Sequence, residues 1–207
     1  SRLSSLKPDF FVVAAYSKII PKEILAIPRL GTIGVHPSLL PKYRGATPIQ
    51  SAILNGDAET GVTLYLTDEK VDHGPILENR KWKIGNSTYE QLHDALAKLA
   101  GELLVETLPK FLKGKIKPAE QNHAEATFTK KFTTEDAYVK PEDLEKAKKE
   151  GGEIAIQIDR KIRALNPEPG TWSVDKGKRI KLLEAEIIDG KLRIKKIQKE
   201  GGKAQSA

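Results

Sequence analysis

The sequence predicts an α/β fold built on a mostly parallel sheet, followed by a small OB-like β-barrel module. Three observations carry this. Over the first half, short runs rich in β-branched residues alternate with helical patterns. The middle becomes polar and rich in lysine and proline. The last third reads as strands separated by turn dipeptides.

The run "FFVVAA" (10–15) is too short for a helix and reads as a buried strand. "PKEIL" (21–25) follows as a short helix opened by Pro21 at a first-turn position. "GTIGV" (31–35) returns as a second strand, so the first two strands form a βαβ unit with functional loops expected at their carboxyl ends. His36 stands at such an end. Thr47-Pro48-Ile49-Gln50 reads as a capping box with proline at the first helical position, and Asn55-Gly56 closes that helix. "GVTLYL" (61–66) is the next strand, and a charged loop (67–77) containing Asp72, His73 and Gly74 leads into "ILENRKWKI". A second capping box, Ser87-Thr88-Tyr89-Glu90, opens the longest helix, whose Leu92, Leu96, Leu99, Leu103, Leu104, Leu108 and Phe111 recur every three or four residues until Lys113-Gly114.

The domains expected are 1–118 and 151–207, with 119–150 as a linker carrying a short helix near its end. Ile154, Ile158, Ile162 and Leu165 then mark a helix that stops before "NPEPG". "TWSVD", "RIKLLEAEII" and "KLRIKKIQ" follow as strands, joined by a "KGK" turn and an Asp189-Gly190 hairpin.

Composition narrows the class. The chain lacks cysteine, which removes disulfides, thiol redox chemistry and cysteine metal sites. No apolar run approaches the roughly 18 residues a membrane span needs, and the N-terminus lacks a signal-peptide pattern, so no membrane association and a cytoplasmic setting are expected. The absence of methionine points to a processed chain or a fragment. The net charge of +7 is uneven: residues 129–207 hold 19 Lys and Arg against 14 Asp and Glu. This basic portion suits an anionic partner, nucleic acid first; a solvated basic face accounts for it equally.

Among chemical constellations, His36 with Asp72 stands out. A carboxylate beside an imidazole fixes its tautomer and favours its charged form, as action on a carbonyl centre requires. The plainer reading is a histidine bonding a turn carbonyl and an aspartate capping a loop. His36, His73 and Asp72 lack the spacing of a metal site, and none is expected. There is no G-x-S-x-G, Walker A or G-x-G-x-x-G. The loop "SLLPKYRG" is stiffened by Pro37 and Pro41 and brings Lys42, Tyr43 and Arg44 toward the histidine.

Taken together, "VHPSLLPKYRGATPIQSAILNGDAETGVTLYL" (35–66) and "VDHGPIL" (71–77) resemble the 10-formyltetrahydrofolate-dependent formyltransferases, most closely the methionyl-tRNA branch. "ATFTKKFTTEDA" (126–137) and "IRALNPEPGTW" (162–172) extend the resemblance over nearly the whole chain. It implies a Rossmann-like formyltransferase domain, incomplete at its N-terminal side. It also implies transfer of a formyl group from 10-formyltetrahydrofolate to initiator methionyl-tRNA in translation initiation, by a monomer without a metal. The family's Asn-x-His pattern maps its histidine onto His36 and its asparagine onto Gly34, while the aspartate of its D-x-G-P motif maps onto Asp72. Glycine cannot supply the carboxamide, and restoring asparagine is expected to raise the rate. Ser38, Leu39, Leu40, Pro41, Arg44, Val71, His73, Gly74 and Pro75 are expected to line the donor pocket, and Lys178, Arg179, Lys181, Arg193, Lys195 and Lys196 to meet tRNA. The alternatives are formylation of an amino-sugar nucleotide and an inactive folate- or RNA-binding relative.

Overall fold

A computed structural model describes residues 2–16 and 18–207. In chain order the elements are α1 (Arg2–Ser5), β1 (Phe11–Ala14), α2 (Lys22–Leu25), β2 (Thr32–His36), β3 (Arg44–Gly45), α3 (Pro48–Asn55), β4 (Glu59–Leu66), β5 (Ile76–Lys83) and α4 (Tyr89–Leu112). A 3₁₀ turn (His123–Glu125) and β6 (Phe128–Thr129) follow. The remainder is α5 (Pro141–Lys149), α6 (Glu153–Leu165), β7 (Trp172–Asp175), β8 (Lys178–Ile188), β9 (Lys191–Lys199) and β10 (Ala204–Ser206). No helix among the described residues is long and apolar enough to cross a membrane.

The chain divides into two compact units. The first holds residues 1–49, 58–85 and 92–130, and the second holds 50–57, 86–91 and 131–207. The stretch 119–150, expected to link two domains, is therefore shared between them, and its residues are used: Gln121 and Val139 are both buried.

In the first unit the sheet order is β1-β2-β4-β5. The βαβ reading holds for β1 and β2, which pair in parallel. The remaining pairs are antiparallel: β4 against β2, with Thr63 opposite His36, and β5 against β4. The expectation of a mostly parallel sheet is corrected here. A strand buried on both faces carries the same continuous apolar run whichever way it points. Ile33, Val62, Leu64 and Leu77 of the sheet are buried, as are Leu92, Leu96, Leu99 and Leu103 along one stripe of α4. The α4 cap lies one residue beyond the expected box. The Thr88 N–H donates to Gln91 Oε1 (3.0 Å) and the Gln91 N–H donates back to Thr88 Oγ1 (3.3 Å). At α3, the Thr47 hydroxyl donates to the Lys130 carbonyl.

The second unit is an antiparallel sheet of order β10-β9-β8-β7 covered by α5 and α6. Val139, Leu144, Ala147, Ala155, Ile158, Ile162, Leu182 and Leu192 form its buried core. Asp189 and Gly190 both take positive φ, as a two-residue hairpin turn of the I′ kind requires, and they place β9 against β8. α6 stops at Leu165 because the residue before Pro167 disfavours helical backbone. There the Asn166 amide donates to the carbonyls of Ile162 (2.9 Å) and Leu182 (2.8 Å).

Candidate active site

β2 delivers His36 at its last position, 5% exposed. Its Nε2 lies 2.8 Å from the Tyr43 carbonyl, which can only accept, so Nε2 carries a proton. Nδ1 then faces Asp72 Oδ2 at 3.5 Å. That separation is longer than an ordinary hydrogen bond, so the two side chains face each other without a close bond between them. The carboxylate does not come from the end of a parallel neighbour. β4 runs opposite to β2, and loop 67–75 returns over the sheet to bring Asp72 back to His36.

Three groups fix Asp72. The Gly45 N–H donates to Oδ2 (2.8 Å), the Tyr65 hydroxyl donates to Oδ1 (2.7 Å), and the Gln121 side-chain amide donates to the Asp72 carbonyl (3.0 Å). Gly45 has φ +106°, and a Cβ there would meet the Thr129 carbonyl at 2.7 Å, so only glycine lets this backbone turn its N–H toward the carboxylate. Tyr65 is buried, and its phenol pKa is pushed up first by that burial and then by the Asp72 charge.

The loop after His36 is pinned from beneath. The Thr63 hydroxyl donates to the Ser38 carbonyl (2.7 Å) and accepts from the Leu40 N–H (3.1 Å). The Ser38 hydroxyl donates to the Lys42 carbonyl (2.6 Å). Ser38 and Leu40 are therefore buried, while Leu39 and Pro41 keep partial exposure. On the facing loop Val71 is exposed and Gly74 is buried, with His73 and Pro75 between these extremes. His73 Nδ1 lies 2.6 Å from Asp68 Oδ2, and its ring stacks on His123 with centroids 4.0 Å apart.

Arg44 is 3% exposed, and its guanidinium is engaged. Nη2 donates to Gln121 Oε1 (2.6 Å) and to His123 Nδ1 (2.9 Å). Gln121 in turn donates to the carbonyls of Asp72 and Gly74, so it ties Arg44 to the Asp72 loop. Among the described residues no group of three or more His, Asp and Glu could hold a metal ion.

Gly34 sits opposite Tyr65 in the β2–β4 register. A Cβ built on it would lie 2.4 Å from the Tyr65 ring and 2.7 Å from its hydroxyl oxygen. The tyrosine ring thus occupies the space of a side chain at position 34.

Sequence reasoning missed Tyr65, Gln121 and Thr63. Tyr65 and Thr63 read as ordinary members of an apolar strand, and only the register reveals their partners. Gln121 lies in an aperiodic stretch with no pattern to single it out.

The six basic residues expected to meet nucleic acid lie on β8 and β9 of the second unit. Lys195 and Lys196 pair with Glu186 (3.6 Å) and Glu184 (3.2 Å). The Arg179 guanidinium stacks 4.3 Å over the Trp172 ring. Lys178, Lys181 and Arg193 form no ion pair among the described residues.

Comparison with known proteins gives the family of the chain. Residues 1–108 match the formyl transferase family model, and residues 152–191 match the formyl transferase C-terminal domain. A methionyl-tRNA formyltransferase of Roseiflexus sp. (strain RS-1) is 42% identical over 189 residues, covering 91% of this chain and 55% of the relative. The chain spans little more than half the length of such relatives. The methionyl-tRNA formyltransferase from Clostridium thermocellum has the same fold, with a TM-score of 0.70 at 23% identity over 96% of this chain and 81% of that one. HypX from Aquifex aeolicus, solved in complex with tetrahydrofolic acid, superposes with a TM-score of 0.76 at 22% identity over 99% of this chain and 39% of that one.

Proposed function

The chain belongs to the formyl transferase family, and on that premise we propose that it transfers a formyl group from 10-formyltetrahydrofolate to the amino group of initiator methionyl-tRNA. The observation that carries this reading is the buried His36–Asp72 pair, with Nδ1 facing Oδ2 and each side chain held by further hydrogen bonds. The 42% identity to a methionyl-tRNA formyltransferase supports the choice of acceptor.

In the reaction the amine nitrogen bonds to the formyl carbon and the bond from that carbon to N10 of the folate breaks. One proton must leave the attacking nitrogen, and N10 must gain one. Asp72 Oδ2, which faces His36 Nδ1, serves as acceptor for the first proton and, once protonated, as the donor that returns it to N10 as the bond to the formyl carbon breaks. With Nε2 committed to the Tyr43 carbonyl, Nδ1 is the ring nitrogen of His36 left to face the oxygen that gains charge in the tetrahedral intermediate, as a donor when it carries a proton. Leu39, Pro41, Val71, His73 and Pro75, partly or fully exposed on the two loops, are surfaces available to the donor. Lys178, Lys181 and Arg193 are the cations available to tRNA phosphates, and contacts of that kind weaken steeply as salt rises.

The test supplies the chain with labelled 10-formyltetrahydrofolate and, separately, charged initiator tRNA, an amino-sugar nucleotide or water alone. Formylmethionyl-tRNA is the expected product. Formylation of the sugar nucleotide, release of formate alone, or folate binding without turnover would each overturn the reading.

A further inference from the structure

The geometry points to Tyr65 as a positioning residue for the transfer, its hydroxyl setting Asp72 toward His36, with Gly34 as the position that admits its ring. This inference rests on the functional reading above and deepens it. Four observations converge. The Tyr65 hydroxyl donates to Asp72 Oδ1 at 2.7 Å. With Oδ1 held, the other oxygen is turned toward the Gly45 N–H and His36 Nδ1. Asp72 itself has φ +48°, a backbone conformation that non-glycine residues keep only when their surroundings hold them. Finally, the ring stands where any Cβ on residue 34 would clash, so residues 34 and 65 form one steric unit.

A tyrosine that served only to fill the core would be replaced by phenylalanine without loss of rate. One that acts through Asp72 would not. A hydrogen bond to a charged group is worth enough to change a rate roughly tenfold to a hundredfold when it exists to orient that group. The loss should also vanish once Asp72 no longer bears the carboxylate, because coupled residues are non-additive.

The experiment uses the full chain with Tyr65→Phe, Asp72→Asn and the double variant. For formyl transfer, Tyr65→Phe is expected to lower kcat roughly tenfold or more while the KM for 10-formyltetrahydrofolate stays within about twofold. On the Asp72→Asn background it is expected to change nothing further. Equal losses on both backgrounds, or no loss on either, would overturn the assignment. A second readout does not depend on turnover. Urea midpoints of the same four chains form a stability cycle. Tyr65→Phe should lower the midpoint less on the Asp72→Asn background, where the hydroxyl meets a neutral amide oxygen in place of a carboxylate. Equal losses of midpoint on both backgrounds would overturn the coupling. An unsubstituted chain that transfers no formyl group but keeps this coupling would overturn the functional reading and not the pairing.

Discussion

His36 and Asp72 face each other across 3.5 Å between Nδ1 and Oδ2, with every other polar atom of the two side chains already hydrogen-bonded. Nε2 is anchored on the Tyr43 carbonyl, and Asp72 is held by Tyr65 and Gly45. The pair is thus fixed by hydrogen bonds on its outer atoms. Preorganised groups of this kind lower a barrier because they need not reorient as charge develops.

Removal of either partner should cost the transfer step more than donor binding. His36→Ala and Asp72→Ala are each expected to lower kcat by about 100- to 10,000-fold, the range for a positioned acid or base. Single-turnover transfer of labelled formyl measures this. Rates within a few fold of the unsubstituted chain in both variants would remove the pair from the mechanism.

Gly34→Asn should destabilise the protein rather than activate it. The first side-chain atom would lie 2.4 Å from the Tyr65 ring, and overpacking of a filled core costs about 1–3 kcal/mol. The expected result is a lower urea midpoint and a reduced rate. Combination with Tyr65→Met, which vacates the ring's space, should recover the midpoint. An unimpaired single variant with a faster rate would mean that the ring yields without cost and that the missing carboxamide limits the reaction.

The contrast between His36 and Tyr65 marks what was legible in the sequence. His36 ends a strand and Asp72 sits in a loop, and the prolines, glycines and charges beside them set them apart, so residue pattern alone singles them out. β7, β8 and β9 of the second unit were equally plain, because Asp189-Gly190 and the "KGK" turn mark their ends and alternation marks their faces, whereas β10 was not foreseen. The direction of β4 was not legible, since a fully buried strand loses the alternation that would tell parallel from antiparallel pairing. Tyr65 was hidden for the same reason. Its role appears only when β4 is laid against β2 in the register that sets it over Gly34.

Gln121 is a second kind of hidden residue, a buried amide in a stretch without periodicity. Its oxygen accepts from Arg44, and its nitrogen donates to the Asp72 and Gly74 carbonyls. Gln121→Ala should cost about 1–3 kcal/mol through the unsatisfied groups it leaves, chiefly the buried guanidinium, and should lower kcat as the Asp72 loop loosens. Gln121→Glu keeps an acceptor for Arg44 but offers the loop carbonyls no donor. It should regain stability in urea denaturation without regaining the rate. Full activity in Gln121→Glu would show that the amide supports Arg44 alone.

His123 closes this network, and it makes stability depend on pH in a stated direction. Its Nδ1 accepts from Arg44 Nη2, because a guanidinium can only donate, and its ring stacks on His73, which pairs with Asp68. Partial removal from water, then the neighbouring His73 and Arg44, hold its pKa below the ordinary histidine value of 6.5, against a smaller opposing influence of Glu120. The folded chain therefore binds this proton less readily than the unfolded chain. The stabilisation from His123 is present above 6.5 and is lost as pH falls through the lower folded value. Urea midpoints of the unsubstituted chain and His123→Gln, followed from about pH 8 to about pH 5, should differ most at the alkaline end and converge on acidification. A gap that stays constant or widens in acid would mean that the Arg44–His123 contact does not depend on a neutral imidazole.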